Sequence, residues 1–152
     1  MVVDVERFGD PARTNLNQLA VRDGLYKALI HAFGMSGMVW DRCVSEDRGD
    51  GALILVPPEV PKIYLVTSLP SMLAAAVSRN NARCTTPERM RLRVALNAGE
   101  VYRDAHGFAG AAINRSYSSL KERTAVKYEV SWGYAGDGGS AGVRDWRSAV
   151  SR

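Results

Sequence analysis

The sequence predicts an α+β protein whose elements run in the order β-α-β-β-α-β. Three observations predict it. Apolar or alternating runs at residues 2–5, 52–56 and 91–96 read as strands. A charged turn rich in Asp and Gly, residues 46–51, separates two extended segments as a hairpin does. Two stretches with helical spacing of apolar residues lie between the strands. A chain of 152 residues suits one domain with a single core.

Taken in order, Val2-Val3-Asp4-Val5 is a short buried strand interrupted by one carboxylate, and Phe8-Gly9-Asp10-Pro11 is a turn. Thr14 or Asn15 can cap a helix, whose apolar positions are Leu16, Leu19, Leu25, Ala28, Leu29 and Ala32. Gly34 and Gly37 end it. A second strand is expected within residues 38–45, and a third at Ala52-Leu53-Ile54-Leu55-Val56, closed by Pro57, Pro58 and Pro61. The second helix is expected over residues 63–79, with Pro70 kinking or restarting it. Arg91-Leu92-Arg93-Val94-Ala95-Leu96 alternates as a half-buried strand does, which directs Arg91 and Arg93 to solvent. Asn97-Ala98-Gly99 turns, Glu100-Val101-Tyr102 resumes an extended run, and residues 107–114 lead into a third helix. The order is the ferredoxin-like one, two split βαβ units on one sheet, with the helices expected on one face.

Composition narrows the function classes. Hydrophobic residues make up 46% and charged residues 24%, which excludes a disordered or collagen-like chain. No apolar run reaches the roughly 20 residues of a membrane helix, and Met1-Val2-Val3-Asp4 does not read as a signal peptide, so a cytoplasmic protein without a membrane partner is expected. Cys43 and Cys84 are expected to be free thiols of a reducing compartment. The net charge of +4 divides into +1 over residues 1–114 and +3 over residues 115–152, with no basic block, so nucleic acid is not the expected partner. Gly133 to Gly142 holds five of the fourteen glycines and predicts a flexible stretch, with Asp145-Trp146 docking back.

The chemistry concentrates in two carboxylates. If the first strand lies beside the hairpin, Asp4 and the turn residue Asp50 meet at one end of the sheet. Carboxylates held close repel unless a cation lies between them, and hard oxygen ligands suit Mg²⁺. Gly49 and Gly51 flank Asp50 and would let a phosphate approach the backbone, to which residues 5–8 would add backbone groups. An Asp in a Gly-Asp-Gly turn is also ordinary turn chemistry. Asp4 is the more telling of the two, because a lone Asp in an apolar strand is costly unless partnered.

Four motifs in order, Asp4-Val5-x-x-Phe8, Glu46-Asp47-Arg48-Gly49-Asp50-Gly51, Leu96-Asn97-Ala98-Gly99-Glu100-Val101 and Gly107-Phe108-x-Gly110-x-x-Ile113-Asn114, resemble the class III nucleotidyl cyclase catalytic domain. The stretch from Val3 to about Ser118 is similar to cyclase-like proteins of actinobacteria, which makes residues 1–118 a cyclase-homology domain and residues 119–152 a divergent extension. The resemblance implies a homodimer with composite sites, a nucleoside triphosphate substrate, and Mg²⁺ or Mn²⁺ held by Asp4 and Asp50. It puts Glu46, Phe8 and Gly49 on the nucleotide, Glu46 reading the base, with the second base-reading position near Gly107. It implies that Asn114 of the partner chain orients the ribose and that an Arg one turn later neutralises the phosphate.

At that position stands Ser118; Arg115, beside Asn114, is the basic candidate for the phosphate, and it points about 60° off the face in a regular helix. Loss of such a cation typically costs about 2.7–4 kcal/mol of transition-state stabilisation. Two readings therefore stand side by side. One is a cyclase that makes a 3′,5′-cyclic nucleotide and pyrophosphate; the alternative is an impaired homologue kept as a nucleotide-binding or dimerising signalling module. A diguanylate-cyclase-like palm shares the element order but wants a Gly-Gly-acidic-Glu-Phe turn, which Gly49-Asp50-Gly51-Ala52 does not supply. His31 is expected at the surface or the edge of the core, His106 in a loop, and Trp40, Tyr102 and Phe108 in the core or an interface.

Overall fold

In a computed structural model, which describes residues 1–121 and 129–132, the chain is a mixed α+β protein with a four-stranded antiparallel sheet and three α-helices. The strands are β1 (Val2–Val5), β2 (Val44–Asp47), β3 (Gly51–Leu55) and β4 (Leu92–Ala98), in the spatial order β2-β3-β1-β4. Two strands form a separate ribbon, β5 (Tyr102–Asp104) and β6 (Gly107–Ala109). The last strand, β7 (Glu129–Trp132), adds to the sheet parallel to β4. The Gly-rich segment and Asp145-Trp146 lie outside the described residues.

Local signals explain most elements. The helix α1 (Asn15–Met35) begins at the expected cap: the Thr14 hydroxyl accepts from the Asn17 N–H, and the Asn17 side chain accepts from the Thr14 N–H. Its last turn closes on Ser36, and Gly37 takes the left-handed φ of 77° that ends it. The helix α2 (Leu69–Asn81) carries Pro70 in its first turn, where the missing N–H is no loss. A wide π turn, Tyr64–Ser68, runs into it without a break, so the helical run passes through Pro70 and the irregularity falls in the turn before it. The second strand begins later than expected, because Trp40–Arg42 form a 3₁₀ turn in which Trp40 packs edge-on against Phe33 at 5.2 Å.

The third helix, α3 (Ala111–Lys121), corrects one expectation. Strand alternation sends Val3, Val5, Ala52, Ile54, Leu92, Val94 and Leu96 to one face of the sheet, where α1 and α2 cover them. Val2, Leu53 and Ala95 point to the other face and pack with Ile113 and Leu120 of α3. The helices therefore lie on both faces. The reason is the middle of the sheet: its central strands are apolar on each side, so each side needs a cover. The Asn97 amide, on the second face, donates to the Ser116 hydroxyl of α3 at 3.0 Å and fixes the helix there.

Asp4 shares the second face with Val2, and Arg93 shares it with Ala95. Among the described residues no helix is long and apolar enough to cross a membrane.

Candidate functional site

The site is assembled by strand register. Asp4 in β1 stands directly between Gly51 of β3 and Arg93 of β4. The next residue, Val5, donates its N–H to the Asp50 carbonyl at 2.8 Å, and Glu6 donates to the Arg91 carbonyl at 2.8 Å. The hairpin turn is thereby pinned to the end of β1, and Asp4 and Asp50 belong to the same end of the sheet. Gly51 permits this approach: a β-carbon there would stand 2.0 Å from the Val3 carbonyl oxygen.

Asp4 has a partner that the sequence reading assigned to solvent. Arg93 donates from Nε to Oδ1 at 2.8 Å and from Nη2 to Oδ2 at 2.6 Å, a bidentate pair whose side chains are 32% and 15% exposed for Arg93 and Asp4. Arg91 does reach solvent, where it meets Glu6 at 3.1 Å. Burial raises the Asp4 carboxyl above the usual carboxylate range, with the charges of Asp50 and Glu6 adding to the rise, and Arg93 offsets only part of it.

The hairpin itself is braced from α1. Arg22 and the Tyr26 hydroxyl both donate to Asp47 Oδ2, at 2.9 and 2.8 Å, and the Gly49 N–H donates to Oδ1 at 2.8 Å. Burial works against ionisation of Asp47, but these donors together hold its carboxyl below the usual range. Burial, then the hydrogen bond to Asp47, pushes the Tyr26 phenol up to about 12. Gly49 takes a φ of 81°, which a side chain would strain.

The remaining expected residues divide into those brought together and those kept apart. Glu46 in β2 pairs with Arg48, whose guanidinium lies 6.0 Å from the Tyr117 ring centre. A β-carbon on Gly107 would stand 3.2 Å from Glu46 Oε1, so the two expected base-reading positions adjoin. Phe8 turns its ring into the core on the α1–α2 side, so this segment offers its backbone at the Asp4 end. Arg7, between them, has a φ of 55°. Asn114, Arg115 and Ser118 are exposed on α3. The Arg115 guanidinium lies 3.7 Å from where a β-carbon on Gly99 would be, at the far end of β4. Six residues of strand from Arg93 to Gly99 span roughly 20 Å, so Arg115 does not join Asp4 within one chain.

His31 is exposed on α1 and His106 in the β5–β6 loop, as expected. Phe108 packs under α3, whereas Tyr102 is 67% exposed and outside the core. Sequence reasoning missed Arg93, Arg48 and Tyr117. Only the pairing of β1 with β4 could have singled out Arg93, since the alternation alone fits a solvent-facing row.

As a donor set for a divalent cation, Asp4 and Asp50 supply two hard carboxylates at one end of the sheet. Among the described residues no three His, Cys, Asp or Glu side chains converge as a metal cluster. A hard cation held by these two would have to take its other ligands from water and phosphate, and Arg93 would have to release the Asp4 oxygens. Comparison with protein families, with curated proteins and with solved structures finds no match to this chain.

Proposed function

We propose that this chain is a nucleotide-binding domain of the class III cyclase type, binding a purine nucleoside triphosphate with Mg²⁺ or Mn²⁺ as a homodimer. The observation that carries the reading is the hydrogen bond from the Val5 N–H to the Asp50 carbonyl, which joins the two carboxylate-bearing segments the resemblance pairs. The strand order β4-β1-β3-β2, antiparallel throughout, supports the ferredoxin-like arrangement the reading requires. The adjacency of Glu46 and Gly107 supports a base-recognition corner, in which the Glu46 carboxylate, released from Arg48, accepts hydrogen bonds from guanine donors.

In this reading Asp4 and Asp50 hold the metal, which neutralises triphosphate charge when bound. Gly49 and the backbone of residues 5–8 admit the phosphates closely. The exposed amide of Asn114 orients the ribose from the partner protomer. Ser118 presents a neutral hydroxyl where charge develops, and Arg115 extends toward Gly99 rather than along the face of Asn114 and Ser118. These two observations favour the second form of the reading, a module that binds nucleotide and turns it over slowly or not at all.

The test is incubation of the purified protein with each of the four nucleoside triphosphates and Mg²⁺ or Mn²⁺, with products resolved by mass spectrometry and binding followed by calorimetry. Binding of a purine triphosphate with weak or no turnover is expected, and Ser118→Arg should raise turnover. Absence of metal-dependent binding to all four nucleotides would overturn the proposal.

A further inference from the structure

We infer that Arg93 is a built-in counter-ion of the candidate cation site, which a divalent metal displaces from Asp4 in order to bind. The inference rests on the reading of Asp4 and Asp50 as metal ligands and deepens it, by saying how the site is held in the absence of metal.

The backbone dictates the pairing. Asp4 and Arg93 are direct partners in the antiparallel register of β1 and β4, two strands inside the sheet, so neither side chain can drift far from the other. The guanidinium fork meets both carboxylate oxygens, at 2.8 and 2.6 Å. A carboxylate so engaged has its best lone pairs filled by N–H donors. Asp4 is only 15% exposed, so water cannot replace the lost cation fully, and the site always wants one positive group. Arg91, two residues before Arg93, is drawn to Glu6 instead. A metal ion and the guanidinium repel each other and compete for the same oxygens, so metal binding is an exchange of cations at Asp4. The freed guanidinium stays tethered beside the site, and its planar fork suits a phosphate oxygen as well as a carboxylate. Metal alone is therefore expected to bind weakly, and metal with triphosphate more tightly, because the nucleotide takes up the displaced charge.

The experiment titrates the nucleotide-free protein with Mn²⁺ and follows the free-ion signal by electron paramagnetic resonance, beside thermal denaturation with and without Mn²⁺. Arg93→Met should bind Mn²⁺ about tenfold or more tightly than the wild type. Its melting temperature should also rise more on adding Mn²⁺. Arg93→Lys, which keeps the charge but loses the fork, should fall between the two, and it serves as the test if the Met variant does not fold. Adding Asp50→Asn to Arg93→Met should remove the gain. Equal Mn²⁺ affinity in the wild type and both Arg93 variants would overturn the inference and leave the metal site standing. No Mn²⁺ binding by any of them would overturn the metal reading itself and the inference with it.

Discussion

Asp47, which leads into the hairpin turn, and Asp4, in the neighbouring strand β1, respond to pH with opposite signs. Asp47 is held below the usual carboxylate range in the folded state, so it binds protons less readily there than in the unfolded chain. Its contribution to stability is complete above the ordinary carboxylate pKa and is lost as pH falls through that value and the folded one beneath it. Thermal melts of the wild type and Asp47→Asn should therefore differ at pH 7, the variant melting lower, and should converge as the solution is acidified below about pH 4. Curves that stay parallel down to pH 3 would count against the role of Arg22 and Tyr26 as its donors. Asp4 is raised instead, so its ionisation disfavours the fold: its term is most favourable below the ordinary value and declines as pH rises through the raised one. Both carboxylates were visible in the sequence. Their partners were not, because Arg22 lies 25 residues and Arg93 89 residues away along the chain.

At the scale of elements, two glycines make a controlled comparison. Gly51 opens β3 where a β-carbon would strike the Val3 carbonyl oxygen at 2.0 Å, and that oxygen belongs to the central strand. Gly51→Ala should cost at least about 3 kcal/mol in urea unfolding, since backbone cannot yield as a side chain can. Gly34, near the end of α1, has no atom within 4 Å of such a β-carbon, and Gly34→Ala should stabilise by up to about 1 kcal/mol through helix propensity. If the two variants prove equally stable, the close approach of β3 to β1 is wrong. The packing of α1 gives a further expectation. Phe33 is fully buried against Trp40, and Phe33→Ala should cost about 3–5 kcal/mol, read as a lower urea midpoint with unchanged slope. The hairpin and the cap at Thr14 were legible, because each depends on a few adjacent residues. The 3₁₀ turn at Trp40–Arg42 was not, because it is set by the contact of Trp40 with a helix residue.

For the whole molecule the expectation is a two-fold dimer. Within one chain Asn114 and Ser118 are exposed on α3, and Arg115 reaches toward Gly99 at the end of β4 opposite to Asp4. A complete site of the proposed kind needs a second copy, related by an isologous contact that creates two equivalent sites. Light scattering across a concentration series should show the dimer, strengthened by triphosphate and metal. A monomer at every concentration, with nucleotide present, would remove the composite site from the proposal.

By itself the sequence determined the local elements and the residue types that carry charge. Apolar alternation, Asp/Gly turns and capping side chains act over a few residues, and their free energies favour one local conformation whatever surrounds it. It also placed Asp4 and Asp50 on segments that the β-α-β-β order brings side by side. Tertiary structure alone decided which cation answers Asp4, which face α3 covers, and that the corner at Glu46 meets Gly107. Those outcomes depend on strand register and on two apolar faces competing for cover, and a shift of one residue would reverse every side chain in β4. Arg93 looked like one of a row of surface arginines; the pairing of β1 with β4 makes it the partner of the central carboxylate.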